Sequence, residues 1–228
     1  MIISVVVMLV MGVPIGISIG MSSALAMITI LPFGPGIVTC AQKMFTGVNS
    51  FSLLAIPFFI LAGNIMNNGG IAIRLVNCAR LISGRLPGSL AQTNIVANML
   101  FGAISGSGTA AAAAIGGTMA PIELEEGYDK DYVAAVNIAP TGQLIPPSNT
   151  LIVYATVAGS VSVAALFMAG YIPGIAWGIS LMFIAGYMAK KRGYVSTFSV
   201  TPKEALKVLW DALPSLLLII IVIGGILK

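Results

Sequence analysis

The chain has no histidine, which excludes histidine metal sites and histidine proton relays. Charge is scarce: 8% of the 228 residues, where a soluble domain carries about 25%. The two cysteines, Cys40 and Cys78, stand far apart and match no metal or redox spacing, so they read as packing residues. No basic n-region opens the chain, and its first apolar run is too long for a signal-peptide core; it reads as a retained membrane helix. No acid lies within an apolar stretch and no nucleophile–base pair is present, so an enzyme is the least favoured reading. The net charge of +4 is small and scattered over loops, which argues against nucleic acid as a partner.

What the chain does have is apolar surface, 58% hydrophobic residues, too much to hide from water in one core. The lipid bilayer is its expected solvent, and the class an all-α integral membrane protein without a soluble domain or a long linker. Residues 2–31 read as a first span; thirty helical residues reach about 45 Å, so this helix tilts or protrudes, with a kink at Pro14. Gly12, Gly16, Gly20 and Ala24 form a small-residue stripe for close helix approach. The Pro/Gly-rich residues 32–50 read as a loop and 51–68 as a second span, with Asn64 and Asn67 placed to cap its end or to join a partner surface. Between 71 and 83, Arg74, Asn77, Arg80 and Ser83 alternate with apolar residues, an amphipathic helix for the membrane interface. Leu86-Pro87-Gly88 then turns the chain inward.

Residues 89–122 carry no charge, and their centre, "SGSGT" at 105–109, is a poor helix former. Each flank is about 14–16 residues, or about 21–24 Å of helix, less than the hydrocarbon core. This predicts a re-entrant helical hairpin. "ELEEGYDKD" at 123–131 reads as a solvated acidic loop. Residues 132–160 read as a span broken at "GQLIPPS", and 162–189 as another span, ended by "KKRG" at 190–193. Thr201, Pro202 and Glu204 form a capping box, and the run after Pro214 enters the membrane. The total is five spans, one interfacial helix and one hairpin.

Charge supports the hairpin. If 89–122 enters and leaves on one face, Arg74, Arg80, Arg85, Lys130, Lys190, Lys191, Arg192, Lys203 and Lys207 share a side, against only Lys43 and Lys228. Nine against two fits the positive-inside rule, with the basic side and the N-terminus cytoplasmic. A simple crossing would abolish most of that asymmetry.

Non-helical backbone inside a bilayer persists only when buried in protein or lining a wet cavity. Pro146 and Pro147 lack amide hydrogens and free carbonyls near Pro140, Thr141, Gly142 and Gln143. Freed carbonyls and hydroxyls suit a hard cation such as sodium. The expected sodium ligands are Ser105, Gly106 and Ser107 at the tip, with Gly142, Pro146 and Ser148 at the break; no other metal or cofactor is expected. New helix N-termini near Gly108 and Ser148 can hold an anionic group without a buried arginine. Thr109, Thr141, Asn149 and Thr150 are the candidate substrate contacts. Discontinuous helices of this kind recur in secondary transporters.

"GVPIG" at 12–16, "IPFFILAGNIM" at 56–66, "GAISGSGTAAAAAIG" at 102–116, "PIELEEGYDKDYVAA" at 121–135 and "PTGQLIPPSNTLIVYA" at 140–155 resemble the large membrane subunit of tripartite ATP-independent periplasmic (TRAP) transporters. The resemblance implies a sodium-coupled importer of organic acids such as C4-dicarboxylates or sialic acids in the bacterial inner membrane. It implies a small membrane subunit and a periplasmic substrate-binding protein as partners. It also implies an elevator-type carrier of two inverted halves: residues 1–88 would be scaffold, 89–160 half of the transport domain, and 161–228 the helices that follow. The chain ends about where the first half ends, so the second hairpin and second broken helix are expected outside it, and transport by this chain alone is not expected. Two rival readings are a dicarboxylate or citrate symporter without a binding protein and a non-transporting membrane scaffold. Co-purification with a binding protein separates the first, and sodium-dependent stabilisation the second.

Overall fold

The computed structural model describes residues 1–49, 51–138, 141–159, 161–194 and 200–226, and every regular element among them is helical. The chain divides into two compact units, Met1–Leu53 and Leu54–Lys228.

In the first unit the expected 2–31 span is two helices, α1 (Ile2–Val10) and α2 (Ile15–Ile30). The break follows from its residues: Gly12 adopts φ +80°, and Pro14 stands as the N-cap of α2. Ser18 Oγ donates back to the Pro14 and Val13 carbonyls at 3.1 and 3.2 Å. The loop expected at 32–50 is instead helix α3 (Phe33–Val48). Its prolines lie at the N-cap (Pro32) and in the first turn (Pro35), where a missing N–H costs nothing. They start a helix there rather than stop one. Gly36 rests against the Ile28 backbone, and of the glycine stripe only Gly20 meets α3, at Met44.

Helix α4 (Phe51–Asn68), which the boundary between the units divides after Leu53, and α5 (Ile71–Ser83) of the second unit have the expected bounds. Gly70, at φ +72°, turns the chain between them, and Ile56–Met66 and Ile71–Ser83 meet at 77°. Helix α5 buries Leu75, Val76 and Ala79 and exposes Arg74, Asn77 and Arg80 as its pattern predicts, but Ser83 of the expected polar face is buried and Ile73 and Ile82 are exposed. The hairpin follows: α6 (Ser89–Ser105) and α7 (Gly108–Glu125), with Gly106 and Ser107 as the tip. Its arms of 17 and 18 residues exceed the expected length because α6 takes in Ser105 of the tip and α7 runs from Gly108 through Pro121 to Glu125. They still reach only about 26–27 Å.

The broken element is α8 (Lys130–Ile138), the single turn α9 (Thr141–Leu144), an irregular stretch 145–148, and α10 (Asn149–Ala158). Helix α11 (Val163–Arg192) is followed by α12 (Pro202–Ile226), which continues through Pro214 as one element. The capping box forms: Thr201 Oγ1 and Thr201 N–H donate to Glu204 Oε2 at 2.8 and 3.0 Å. Among the described residues α11 alone is long and apolar enough to cross a membrane unaided; the bent α4–α5 pair passes only as a pair. The all-helical class therefore holds, whereas of the five expected spans one stands out as such among the described residues.

The core of this unit lies where α6 packs on α5, α7 and α11, around Leu75, Ile95, Phe101, Ile104, Ile115 and Met119. Gln92 Nε2 donates to the Met182 carbonyl at 2.8 Å, tying α6 to α11.

Candidate functional site

The hairpin tip and the chain break meet. The Asn149 N–H, the first of α10, donates to the Gly106 carbonyl at 2.9 Å. Gly106 is in the left-handed region at φ +64°, and a Cβ there would crowd the Pro147 carbonyl at 3.1 Å. One turn back along the hairpin, Gly102 lies directly on Gly142; a Cβ on Gly102 would run into the Gly142 backbone. A Cβ on Gly142 would sit 2.7 Å from the Asn98 carbonyl. Backbone-to-backbone contact therefore seats α9 on α6 and places the break beside the tip.

Hydroxyls ring this junction. Ser105 is buried, and its Oγ accepts from the Ser107 N–H at 3.4 Å. Ser107 is the N-cap of α7, its Oγ accepting from Ala110 N–H at 3.3 Å, and it lies 3.0 Å from Thr109 Oγ1. Gln143 Nε2 donates to Thr150 Oγ1 at 2.6 Å across the break. Pro146 and Pro147 are buried, with a cis peptide bond between them. Ser148 Oγ and Asn149 Oδ1 are buried oxygens with no hydrogen-bond partner among the described residues. Such oxygens are costly unless something fills the place of water.

The expected residues thus gather at one junction but open onto two hollows. One, about 390 Å³, is lined by Ser105, Ser107 and Thr109 of the hairpin and Ile60, Gly63 and Asn64 of α4. The other, about 210 Å³ and mostly apolar, is lined by Gln143, Ser148, Thr150, Leu151 and Trp177. Thr141 lies in α9, but its side chain is outside the described residues, as are Pro140 and the side chain of Asn67. Asn64 is not an end cap, because α4 runs to Asn68; it faces the first hollow.

Sequence reasoning missed two features. The first is the bed of the break. Gly170, Gly174 and Gly178, one turn apart on α11, leave room for Pro146, for Leu144 with Ile145, and for Met99. Their four-residue spacing in "AGYIPGIAWG" was the available signal.

The second corrects the solvated 123–131 loop. Glu125, Glu126, Asp129 and Asp131 are exposed, but Glu123 is fully buried in the last turn of α7. Its Oε1 accepts from Asn94 Nδ2 at 3.0 Å and its Oε2 from Asn137 Nδ2 at 3.2 Å. Glu123 lies beyond the uncharged 89–122 stretch, and burial pushes its carboxyl up to about 7, against the two amide hydrogen bonds that pull it down. It is solvated by amides because α7 outlasts the apolar run and faces α6 and α8 there. Asn94 and Asn98, one turn apart in an apolar helix, were the available signal.

The outer end of this region is clamped. Arg192 bonds Asp129 and Asp131 at 2.6 and 2.9 Å and holds the Asp131 carboxyl below its usual range. Tyr128 stacks on Tyr194 with centroids 4.2 Å apart.

The family described as "Tripartite ATP-independent periplasmic transporter, DctM component" matches residues 2–228. The chain is 53% identical over 97% of its length to the uncharacterised YgiK of Salmonella typhimurium, covering 51% of that protein. It is 40% identical over 94% to the sialic acid TRAP transporter large permease protein SiaM of Vibrio cholerae, covering 50%. It is 36% identical over 94% to the C4-dicarboxylate TRAP transporter large permease protein DctM of Rhodobacter capsulatus, covering 52%. The chain spans about half the length of these curated relatives.

Proposed function

Because this chain belongs to the DctM component family of tripartite ATP-independent periplasmic transporters, we propose that it forms the sodium-binding and substrate-binding half of a permease importing an organic acid. Its place is the inner membrane, with the N-terminus and the basic loops cytoplasmic. Its mechanism is secondary transport without covalent chemistry. A periplasmic binding protein delivers the acid and a small membrane subunit completes the assembly. A segment outside this chain supplies the second hairpin and broken helix of an inverted, elevator-type carrier. Residues 1–88 act as scaffold and 89–160 as the moving half.

The observation that carries this reading is the closure of the tip on the break through Gly106 and Asn149, with Ser148 Oγ and Asn149 Oδ1 left unpartnered beside it. A desolvated sodium ion takes oxygens of this kind: the Ser105, Ser107 and Ser148 hydroxyls and the carbonyls of Gly106, Gly142 and Pro146. The carboxylate of the substrate pairs with the N-terminal turns of α7 and α10, held by Thr109, Thr141, Asn149 and Thr150. Relatives named for sialic acid and for C4-dicarboxylates support an organic-acid substrate.

The test is thermal unfolding of the purified chain in detergent against sodium, with potassium at equal ionic strength as control. A ligand that binds only the folded state raises its stability. Sodium is expected to raise the midpoint and potassium not to. Ser148→Ala is expected to weaken the sodium effect about tenfold in concentration, about 1.4 kcal/mol. Equal responses to the two ions would reject the sodium site.

A further inference from the structure

The buried carboxylate of Glu123 is not used by the site just described, yet it anchors a continuous amide network. Asn94 Nδ2 donates to Glu123 Oε1 and also to Asn137 Oδ1, both at 3.0 Å. Asn137 Nδ2 donates to Glu123 Oε2 at 3.2 Å and to the Val133 carbonyl at 2.8 Å. Asn98 Nδ2 donates to Asn94 Oδ1 at 2.7 Å. The network joins α7, α6 and α8, then runs one turn along α6 to Asn98, whose carbonyl is pressed against Gly142 of α9.

An ionised carboxylate only accepts, and each amide here is oriented to suit an acceptor at position 123. Adding a proton places a donor where an amide N–H already points. The hydrogen bonds that Asn94 and Asn137 make to the carboxyl must then rearrange, and Asn94 shares that rearrangement with Asn98 through its Oδ1. Free space does not absorb it, because a Cβ on Gly116 would already sit 2.6 Å from Asn137 Oδ1.

We propose that Glu123 is a proton-binding site whose charge state is relayed through Asn94 and Asn98 to α9, setting the position of the chain break. The site stands whether or not sodium binds at the tip.

The surroundings favour a single titrating group. Helices α6 and α9 carry no titratable side chain. Helix α8 contributes Tyr132, whose hydroxyl donates to the Ala185 carbonyl at 2.8 Å, and the exposed Lys130 and Asp131. The turn before it contributes Glu126, Tyr128 and Asp129, with burial pushing the Tyr128 phenol up. Helix α5 contributes the buried Cys78 and the exposed Arg74 and Arg80. On α11, Arg192 lies over the Tyr132 ring and pairs with the two aspartates. Among the described residues no ion pair reaches Glu123.

The test reads α9 directly. Leu144→Cys is labelled with a maleimide in a Cys40→Ala background, Cys78 being buried, and its rate is divided by that of Val157→Cys, an exposed position on α10. The ratio corrects for ionisation of the thiol itself. It is expected to change about threefold or more between about pH 5.5 and about pH 8.5. Glu123→Gln puts a neutral group with a donor where the carboxylate was, as protonation does, and is expected to hold the ratio at its acid value throughout. Asn98→Ala cuts the relay and is expected to flatten the ratio while leaving the pH dependence of unfolding intact. A pH-invariant ratio in the parent protein, or an unchanged pH dependence in Glu123→Gln, overturns the proposal. If Glu123→Gln does not fold, the parent and Asn98→Ala still decide: a pH-dependent ratio that persists in Asn98→Ala overturns the relay.

Discussion

Glu123 and Asp131 lie eight positions apart and respond to pH in opposite senses. The Asp131 carboxyl is held down by Arg192 at the surface, so its contribution is present at neutral pH and fades only in acid below its ordinary range. Glu123 is the reverse. Its folded carboxyl is raised from 4.5 to about 7, so the folded chain holds a proton that the unfolded chain has released. Stability from this group is therefore fully present below about pH 4.5 and is lost as pH rises through about 7, a difference of about 3 kcal/mol. Thermal unfolding in detergent between about pH 5 and about pH 8 is expected to show this fall in the parent and to lose it in Glu123→Gln. A slope unchanged by the substitution would place the titration elsewhere.

Two adjacent glycines make a second test at the same scale. A Cβ at Gly116 would strike Asn137 Oδ1, whereas one at Gly117 meets nothing within 4 Å. Gly117→Ala is expected to leave the unfolding temperature unchanged or raise it, by up to ~1 kcal/mol of helix propensity. Gly116→Ala is expected to lower it by ~1–3 kcal/mol, the usual cost of overpacking. Equal effects would mean that α7 does not pack on Asn137 as described.

At the scale of elements, local chemistry explains what was legible. The amphipathic helix α5, the hairpin tip and the capping box of α12 each carry a signal within one or two turns. These are a charged face, a Gly/Ser pair, and Thr201 with Glu204, and all three form at the expected residues. The element at 32–50 was misread because proline and glycine suggest a loop by composition, whereas their effect depends on position within a helix. The end of α7 was misread because a run of acids suggests water. Glu123 faces two asparagine side chains instead, Asn94 of α6, 29 positions earlier in the chain, and Asn137 of α8, 14 positions later. The glycine row on α11 is visible in the sequence, but its purpose is not, since the break it receives lies about 30 positions away.

For the whole molecule the decisive expectation is sidedness. If 89–122 is re-entrant, the loops before and after it open to the same side of the membrane. Single cysteines at Arg85, Asp129 and Lys203, in a Cys40→Ala background, are expected to react with a membrane-impermeant maleimide from one face, and a cysteine at Lys43 from the other. Reaction of Arg85→Cys and Asp129→Cys from opposite faces would make α6 and α7 a crossing and undo the positive-inside count.

The amino-acid sequence by itself determined the solvent, the helical class, the family, the hairpin and the position of the break, because each follows from composition or from neighbours within a few turns. Only the tertiary structure decided that Asn149 closes on Gly106, that Gly102 lies on Gly142, and that a carboxylate sits dry among amides at the hairpin's base. Those facts are contacts between backbones and side chains far apart along the chain, and they depend on which helix faces meet in space, which no local pattern encodes.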